Sequence, residues 1–311
     1  MILDMEEKIG QVVLNLKFYN GTDGYSDGEI EDTMLKMVMT KSEDDIRRSL
    51  GKERLTWPVF YHFSQDRENI LNWYPFKTGS KILEIGAGCG AITGCLCRMA
   101  DQVVAVELSK KRTLINAYRH RNCKNLEIYV GNFYDMVKEM EIGFDYITLI
   151  GVFEYAKSYM PKSNPFDVFL QVIRKLLKPH GKVLIAIENR LGMKYFAGCP
   201  EDHTGGLYDG IKGYRKIDGV RTFSHSEWEI LLKKNGFTQY YFYYPYPDYK
   251  IPLVIYSENY LPRRGEMIFN DFNFDRDRFS MFDEAMAWDA LSGTKDFEIF
   301  SNSFLIEVDN G

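Results

Sequence analysis

The stretch Lys81-Ile-Leu-Glu-Ile-Gly-Ala-Gly-Cys-Gly90 carries the strongest structural signal in the chain. Its apolar residues before the glycines are typical of a buried parallel strand that ends in a sharp turn, and residues 91–100 then predict a helix. Gly86, Gly88 and Gly90 permit positive φ angles and leave no Cβ between the backbone and a ligand. The first helical turn can present its N–H groups to a bound molecule. The stretch therefore predicts a nucleotide-like ligand.

The glycine pattern alone admits more than one ligand class. Gly86-x-Gly88-x-x-Ala91 satisfies the dinucleotide fingerprint, and Glu107 follows Gly86 by 21 residues, as a ribose-binding carboxylate does. Two features favour a different ligand. Glu84 lies at the strand end, where a carboxylate suits an ammonium group better than a pyrophosphate, and the third glycine comes one position too early.

Composition and charge restrict the class of protein. A chain of 311 residues with 45% hydrophobic and 27% charged residues is an ordinary globular protein. Its net charge of −5 disfavours a nucleic acid as the partner. The acidic N-terminus and the lack of an 18-residue apolar run predict a cytoplasmic protein without membrane insertion. The five cysteines are predicted to be reduced thiols, and no ligand spacing in the sequence favours a metal-dependent mechanism.

Beyond the glycines, the apolar pattern alternates between strands and helices. The predicted strands are 102–107, 126–130, 144–150, 182–187, 238–244 and 303–308. The predicted helices between them are 109–121, 164–177 and 224–235. This alternation predicts a doubly wound, Rossmann-like α/β fold with a seven-stranded sheet that is mostly parallel and has an antiparallel last strand.

The chain is expected to have three parts. Residues 1–75 form an N-terminal cap, with a strand at 10–19 and a helix at 27–50 that breaks near Thr40. Residues 76–244 form the ligand-binding core. Residues 245–311 combine an insertion that completes the acceptor pocket with the final strand of the same domain. In the core, residues 194–219 are glycine-rich and aromatic, which indicates a loop or lid.

The spacing Glu84-x-Gly86-x-Gly88-x-Gly90 resembles motif I of the class I S-adenosylmethionine-dependent methyltransferases, where the acid acts on the methionine end of the ligand. Residues 81–190 are similar to that family in motif order and spacing, including the Leu-Lys-Pro-x-Gly turn before the fifth strand. The resemblance implies methyl transfer from S-adenosylmethionine, with S-adenosylhomocysteine as the product.

The resemblance also implies cofactor-binding residues. Glu107, followed by Leu108, is expected to bind the ribose hydroxyls. Asn132 occupies a position where these enzymes commonly have an Asp that binds the adenine amino group, and Phe133 can pack on the adenine ring; the alternative for both is a strand-end turn. Gly151 would let the chain pass close to the reacting methyl group.

Two residues of the N-terminal part complete the set of cofactor candidates. Tyr61 and Arg67 lie in the stretch 61–73, where Ser64 is predicted to cap a helix and Arg67 follows on its first turn. Arg67 can bind a carboxylate, or it can form a surface salt bridge.

Five stretches resemble a narrower group, the bacterial methyltransferases that accompany, or are fused to, glycosyltransferases of surface-polysaccharide synthesis. They are 61–73, 188–198, 201–205, 244–249 and 300–305. This resemblance implies a small-molecule or glycan acceptor, a sugar hydroxyl or a glycan-linked phosphate first, and a glycosyltransferase domain or protein as partner. Aromatic residues at 195–214 and 240–249 are expected to pack on sugar rings or to fill the core.

Oxygen acceptors generally need a base, and two residues are candidates. His203 can take a proton from a hydroxyl at neutral pH, although a lone loop histidine more often only forms hydrogen bonds. Glu154 follows the fourth strand and either faces the substrate or caps the next segment. By contrast, His225 is expected to be a surface residue on the first turn of its helix.

Two other protein classes remain open. An NAD-dependent oxidoreductase shares the glycine turn and Glu107, but it should carry a second mononucleotide-binding half, which residues 190–311 do not offer. A non-catalytic protein that binds the cofactor and supports a glycosyltransferase would keep Glu84 and Glu107 as well.

Overall fold

The computed structural model describes residues 6–23, 26–50, 56–140, 142–161, 163–215, 217–267 and 278–311. The chain divides into two compact units. The first comprises the residues up to 149 together with 175–182, and the second comprises 150–174 and 183–311. Among the described residues, no helix has the length and apolar character needed to cross a membrane.

Ten strands are formed by the described residues, where seven were predicted. They are β1 (Glu6–Ile9), β2 (Val12–Asn15), β3 (Lys81–Ile85), β4 (Gln102–Glu107), β5 (Leu126–Val130), β6 (Phe144–Ile150), β7 (Leu177–Glu188), β8 (Gln239–Tyr246), β9 (Val254–Ser257) and β10 (Ser303–Asp309). Of the three strands beyond those seven, β2 lies within the strand expected at 10–19 of the N-terminal cap, whereas β1 and β9 were not predicted.

The α-helices of the described residues are mostly short. They are α1 (Ile30–Thr40), α2 (Glu43–Leu50), α3 (Trp57–Phe63), α4 (Thr93–Met99), α5 (Lys110–Arg119), α6 (Phe133–Met136), α7 (Ala156–Tyr159), α8 (Pro165–Leu176), α9 (Met193–Phe196), α10 (His225–Lys234), α11 (Glu284–Leu291) and α12 (Asp296–Phe300). Gln65–Ile70 and Phe153–Tyr155 are 3₁₀-helices.

In the first unit, hydrogen-bonded strands follow the order β1-β2-β5-β4-β3-β6. β3 pairs in parallel with both β4 and β6, and β4 pairs in parallel with β5. The central strands β3 and β4 are mostly apolar and largely buried because a parallel sheet is covered on both faces. The bounds of β4, β5 and β6 match the predicted ones, since alternation of apolar runs and polar turns is a local signal.

The N-terminal part adds a hairpin to the edge of this sheet. β1 and β2 pair in antiparallel fashion, and β2 continues the sheet in parallel with β5. The expected strand at 10–19 was wrong at its start, because Gly10 lies in the hairpin turn with a φ of 62°. A Cβ at Gly10 would lie 2.3 Å from the carbonyl oxygen of Arg121.

The helices that follow the hairpin pack on α5. The predicted break near Thr40 is confirmed, since α1 ends there and α2 begins at Glu43. Met34 of α1, Val59 and Phe63 of α3 and Ile115 of α5 belong to one buried cluster. An ion pair of 2.7 Å between Arg112 Nε and Glu31 Oε1 joins α5 to α1.

In the second unit, hydrogen-bonded strands follow the order β7-β10-β8-β9. β10 is antiparallel to β8, as predicted for the last strand, and β9 is antiparallel to β8 as well. The predicted capping box is also confirmed, because the Ser224 side chain accepts from the Glu227 N–H and the Glu227 side chain accepts from the Ser224 N–H. β7 begins five residues earlier than predicted, so the proline and glycine of the expected turn lie within the strand.

Aromatic side chains form much of the interior of the second unit. Trp228 and Phe304 are fully buried. Tyr195, Tyr214, Tyr244, Tyr246 and Tyr249, which were candidates for packing on a sugar, are buried as well. His225 stacks on Phe242 with ring centroids 4.0 Å apart, so the expectation of a surface histidine was wrong. Packing against the neighbouring strand holds this ring, and a helical pattern alone does not reveal it.

Candidate active site

The glycine turn after β3 has the expected backbone conformation. Gly86, Gly88 and Gly90 have φ angles of 73°, 53° and 79°. A Cβ at Gly88 would meet nothing within 4 Å, whereas a Cβ at Gly90 would lie 2.4 Å from Oδ1 of Asn116. Gly88 therefore leaves open space for a ligand, and Gly90 is required by packing inside the protein.

Glu84 is a buried carboxyl group at the end of β3. Its Oε2 accepts a hydrogen bond of 2.7 Å from the Thr93 hydroxyl, and Thr93 in turn accepts one of 3.0 Å from the Asn116 amide. Burial raises the pKa of Glu84 to about 8, against a smaller lowering by the Thr93 hydrogen bond. A cationic group bound beside this carboxyl would favour its ionised form.

Glu107, at the end of β4, connects the glycine turn to the start of α5. Its Oε2 accepts from the Gly88 N–H at 2.8 Å, and its Oε1 accepts from the Ser109 N–H at 3.0 Å. Burial raises the pKa of Glu107, although these backbone hydrogen bonds oppose the shift. The carboxylate is thus held in one orientation, with Leu108 half-buried beside it.

Asn132 and Phe133 lie after β5, and Asn132 caps α6. The Asn132 Oδ1 accepts a hydrogen bond of 3.0 Å from the Tyr134 N–H, and Phe133 is buried. The strand-end turn that was one interpretation of Asn132 is therefore formed.

Tyr61 and Arg67 are neighbours. Ser64 caps the 3₁₀-helix as predicted, accepting from the Asp66 N–H. The Arg67 guanidinium carbon lies 4.1 Å from the centre of the Tyr61 ring, a distance typical of a cation–π contact. Arg67 is only 3% exposed, so the alternative of a surface salt bridge was wrong.

Gly151 is the second residue of the second unit and lies close to Tyr249. Its φ is 71°, and a Cβ at this position would lie 2.6 Å from the Tyr249 hydroxyl. The Gly151 N–H donates to the carbonyl oxygen of Ala186 at 2.9 Å. Close packing against Tyr249 is sufficient to require glycine here.

His203 lies among three buried glutamates in the second unit. Its Nε2 is 3.6 Å from Oε1 of Glu154 and 3.9 Å from Oε2 of Glu188, and its Nδ1 is 3.1 Å from Oε1 of Glu201. Burial alone would lower the pKa of His203, but the charges of Glu188 and Glu154 and the hydrogen bond to Glu201 raise it well above its usual value. Burial raises the pKa of Glu154.

Glu201 is fixed by several hydrogen bonds. Its Oε2 accepts from the backbone N–H groups of His203 and Thr204 at 2.8 and 2.6 Å. Its Oε1 accepts from the Tyr214 hydroxyl at 3.0 Å. Burial opposes ionisation, but the hydrogen bonds and the charge of His203 outweigh it and lower the pKa of Glu201 to about 2. Glu201 is thus an ionised acceptor that holds the His203 ring.

Lysines and aspartates surround the other side of this group. Lys250 donates to Oε1 of Glu188 and, at 2.9 Å, to Oδ1 of Asp202. Lys194 donates to Oδ2 of Asp248 at 2.6 Å and lies 3.0 Å from Oδ2 of Asp202. Lys250 therefore pairs with Glu188 as well as with Asp202, and Lys194 pairs with both aspartates.

The sequence-predicted site residues therefore form two groups. The cofactor candidates other than Gly151 belong to the first unit, and both catalytic candidates belong to the second. Sequence reasoning missed Glu188 and Glu201. Glu188 could have been predicted because it is an acidic residue at the end of an apolar strand, as Glu84 and Glu107 are. Glu201 has no comparable local signal.

Comparison with known proteins agrees with this arrangement. Residues 83–183, about a third of the chain, match the family Methyltransf_12, described as a methyltransferase domain. The ubiquinone biosynthesis O-methyltransferase of Pelagibacter ubique is 27% identical over 135 residues, which cover 42% of this chain and 53% of that protein. The mitochondrial ubiquinone biosynthesis O-methyltransferase of Rattus norvegicus is 26% identical over 183 residues, covering 55% of this chain and 49% of that protein. The chain spans about half the length of these relatives.

Among solved structures, the fold is similar to phosphoethanolamine N-methyltransferase 2 of Haemonchus contortus in complex with S-adenosyl-L-methionine. The TM-score is 0.46 at 20% identity, with 85% of this chain and 59% of that chain covered.

The match of residues 83–183 shows a methyltransferase domain in this chain. The glycine turn and the strand order β5-β4-β3-β6 of the first unit resemble those of the class I S-adenosylmethionine-dependent methyltransferases. In the second unit β9 and β10 run antiparallel to β8, unlike the parallel second half of an NAD-binding domain. The cofactor is S-adenosylmethionine, and the open space above Gly88 beside the Glu107 carboxylate fits it.

Proposed function

We propose that this protein transfers a methyl group from S-adenosylmethionine to a hydroxyl oxygen of a small-molecule or glycan acceptor. The observation that carries the proposal is the buried group formed by Glu154 and His203, which offers a proton acceptor of the kind that an O-methyltransferase needs. The two curated relatives reported above are O-methyltransferases by name, which supports an oxygen acceptor.

The first unit supplies the cofactor site in this proposal. Glu84 pairs with the ammonium group of the methionine moiety. Because the pKa of Glu84 is raised, its carboxyl group is largely protonated before the cofactor binds, and it loses this proton when the ion pair forms. Glu107 binds the ribose hydroxyls with the lone pairs of its carboxylate that do not accept from the Gly88 and Ser109 N–H groups.

The remaining cofactor contacts come from residues around these acids. Asn132 and Phe133 hold the adenine, Leu108 packs beside it, and Tyr61 and Arg67 lie at the carboxylate end. The pair of Arg67 with the Tyr61 ring supports this role, because the ring positions a guanidinium that can bind a carboxylate. Gly151 is proposed to give the reacting methyl group room.

The acceptor hydroxyl needs to lose its proton during the reaction. The bound cofactor supplies a methyl group on a cationic sulfur, so the oxygen–methyl bond forms as the sulfur–methyl bond breaks. Oε2 of Glu154 is buried and has no hydrogen-bond partner among the described residues, and burial raises the pKa of this group. We assign it the hydroxyl proton, with His203 orienting the carboxyl group from 3.6 Å.

A sugar hydroxyl or a glycan-linked phosphate is the acceptor that we propose first. The support is the resemblance of stretches such as 188–198 and 244–249 to methyltransferases that accompany glycosyltransferases. Five of the tyrosines that were expected to pack on a sugar are buried, so ring stacking on such an acceptor would depend on the partly exposed members of that set, which are Tyr208, Tyr240, Tyr241 and Tyr243.

The test is incubation of the protein with radiolabelled S-adenosylmethionine and fractionated cell extract. We expect label in saccharide or nucleotide-sugar fractions, and loss of label with Glu154→Gln. Label confined to lipid, protein or RNA fractions would contradict a glycan acceptor while leaving methyl transfer intact. Absence of label in every fraction, with S-adenosylhomocysteine binding intact, would favour a non-catalytic role.

A further inference from the structure

We propose that Glu154, Glu188 and His203 form a binding site for one divalent metal ion. Each residue offers one ligand atom, and these atoms all lie within 4.8 Å of one another. The three residues come from the segment after β6, the end of β7 and the loop after α9. Carboxylate oxygens with an imidazole nitrogen are a common ligand set for divalent cations in proteins.

The distances admit a shared ion. Two ligand atoms that each lie about 2.1 Å from one ion can be no more than about 4.2 Å apart. Nε2 of His203 is 3.6 Å from the Glu154 oxygen and 3.9 Å from the Glu188 oxygen. These separations are longer than most hydrogen bonds. An ion can therefore contact the imidazole and either carboxylate with little movement of the side chains.

An unsatisfied oxygen of Glu188 points to the same ligand. Oε2 of Glu188 is a buried atom without a hydrogen-bond partner in the described part of the chain, and the residue is 0% exposed. A buried carboxylate oxygen without a partner is costly. Lys250 satisfies only Oε1 of Glu188, so Oε2 keeps its lone pairs for an ion.

The orientation of His203 supports the site independently. Because Glu201 is a hydrogen-bond acceptor, the contact of 3.1 Å places a proton on Nδ1 and directs Nε2 toward Glu154 and Glu188. An ion bound at Nε2 would displace the proton that this nitrogen carries when the imidazole is protonated. Glu201 is itself fixed by two backbone N–H groups and by Tyr214. A carboxylate that orients a metal-binding histidine through its second nitrogen is the usual support of such a ligand.

Only the role of the ion in catalysis rests on the proposed function. An ion held here would bind the acceptor hydroxyl and make its proton easier to remove, so that Glu154 takes the proton at lower cost. Any acceptor with two neighbouring oxygens could then bind in a chelating manner. The existence of the site does not depend on which acceptor is methylated.

Mn²⁺ is the appropriate probe. It prefers oxygen and imidazole ligands and binds thiolates weakly, which keeps the five free cysteines out of the measurement. The loss of the free Mn²⁺ signal in electron paramagnetic resonance would be measured on the full chain. We expect one ion per chain, with affinity at least tenfold weaker in Glu188→Gln and in His203→Ala.

The controls separate the site from the fold and from catalysis. Glu229→Gln is the same chemical change on α10, away from the three ligands, and should bind Mn²⁺ like the unmodified protein. Glu201→Gln should weaken binding by about 10- to 100-fold through the orientation of His203. S-adenosylhomocysteine binding, measured in parallel, reports whether each variant is folded.

Failure of the metal site and failure of the proposed function give different results. No Mn²⁺ binding up to about 1 mM, or equal binding in Glu188→Gln and His203→Ala, would overturn the site, even if methyl transfer proceeds in the presence of a chelator. Site-specific Mn²⁺ binding by a protein that methylates nothing would leave the site standing and remove the proposed activity. If Glu188→Gln does not fold, the result with His203→Ala decides.

Discussion

The hydroxyl of Thr93 donates a hydrogen bond of 2.7 Å to Oε2 of Glu84, which links the end of β3 to the start of α4 across the glycine turn. Both residues are buried. In this surrounding the pKa of Glu84 is raised to about 8. The Glu84 carboxyl group, which we propose as part of the cofactor site, is thus largely protonated at neutral pH until a cation pairs with it.

Glu84 should make the ligand-free protein less stable as the pH rises. Its pKa changes from 4.5 in the unfolded chain to about 8 when folded, so the folded state binds more protons between these values. The free energy of unfolding should therefore fall across this window, by at most about 1.4 kcal/mol per pH unit. Glu84→Gln removes this titration and keeps an acceptor for Thr93. The free energy of unfolding of the variant, minus that of the unmodified protein, should therefore be larger at pH 8 than at pH 5. Urea unfolding of both proteins at pH 5 and at pH 8 measures this difference. A difference that is equal at the two pH values would refute the prediction.

Gly88 and Gly90 should respond differently to alanine. A Cβ at Gly88 meets no atom within 4 Å, so Gly88→Ala should cost only about 1 to 2 kcal/mol of backbone strain while it weakens S-adenosylhomocysteine binding. A Cβ at Gly90 would lie 2.4 Å from Asn116, so Gly90→Ala should destabilise the fold itself. Calorimetric titration and thermal unfolding of both variants separate the two effects. Unchanged affinity in a folded Gly88→Val protein would place the cofactor site elsewhere.

Glu107→Ala should weaken S-adenosylhomocysteine binding by about 1 to 3 kcal/mol, the scale of losing hydrogen bonds to a charged group. The variant also removes the acceptor of the Gly88 N–H, so the glycine turn becomes less fixed. Glu127→Ala on the neighbouring β5 is a control, because Glu127 is only half-buried and lies within the strand. Affinity that is indifferent to Glu107 would contradict the ribose assignment.

Glu154→Gln and His203→Ala should each lower kcat by about 10² to 10⁴ and leave cofactor affinity nearly unchanged. The reason is that both side chains belong to the second unit, whereas the proposed cofactor contacts other than Gly151 belong to the first. Steady-state kinetics with the acceptor found by radiolabelling, together with S-adenosylhomocysteine titration, tests the split. Full activity of both variants would assign the hydroxyl proton to another group.

Gly151→Ala should be destabilising because its Cβ would lie 2.6 Å from the Tyr249 hydroxyl and because the φ of 71° disfavours alanine. Tyr249→Phe removes the hydroxyl, so the double variant should recover the part of the loss that is due to the clash. The remaining loss, about 1 to 2 kcal/mol, is the backbone strain. A double-mutant cycle on the free energy of unfolding measures both parts, and simple additivity would contradict a contact between the two residues.

Local signals in the chain were sufficient to predict the central strands and the cofactor. β4, β5 and β6 have the predicted bounds, and Gly86 and Gly88 have the predicted positive φ angles, because apolar runs and glycine turns act over a few residues. The capping box at Ser224 was predictable for the same reason.

The tertiary structure alone decided which side chains meet. Glu154, Glu188 and His203 are separated by 34 and 15 positions along the chain, and no spacing in the sequence links them. Packing likewise decided that Tyr244 and Tyr249 fill the interior and that Arg67 is buried against Tyr61. Periodicity shows that a residue has a buried face, but its partners depend on how distant segments pack, which no local pattern of residues encodes.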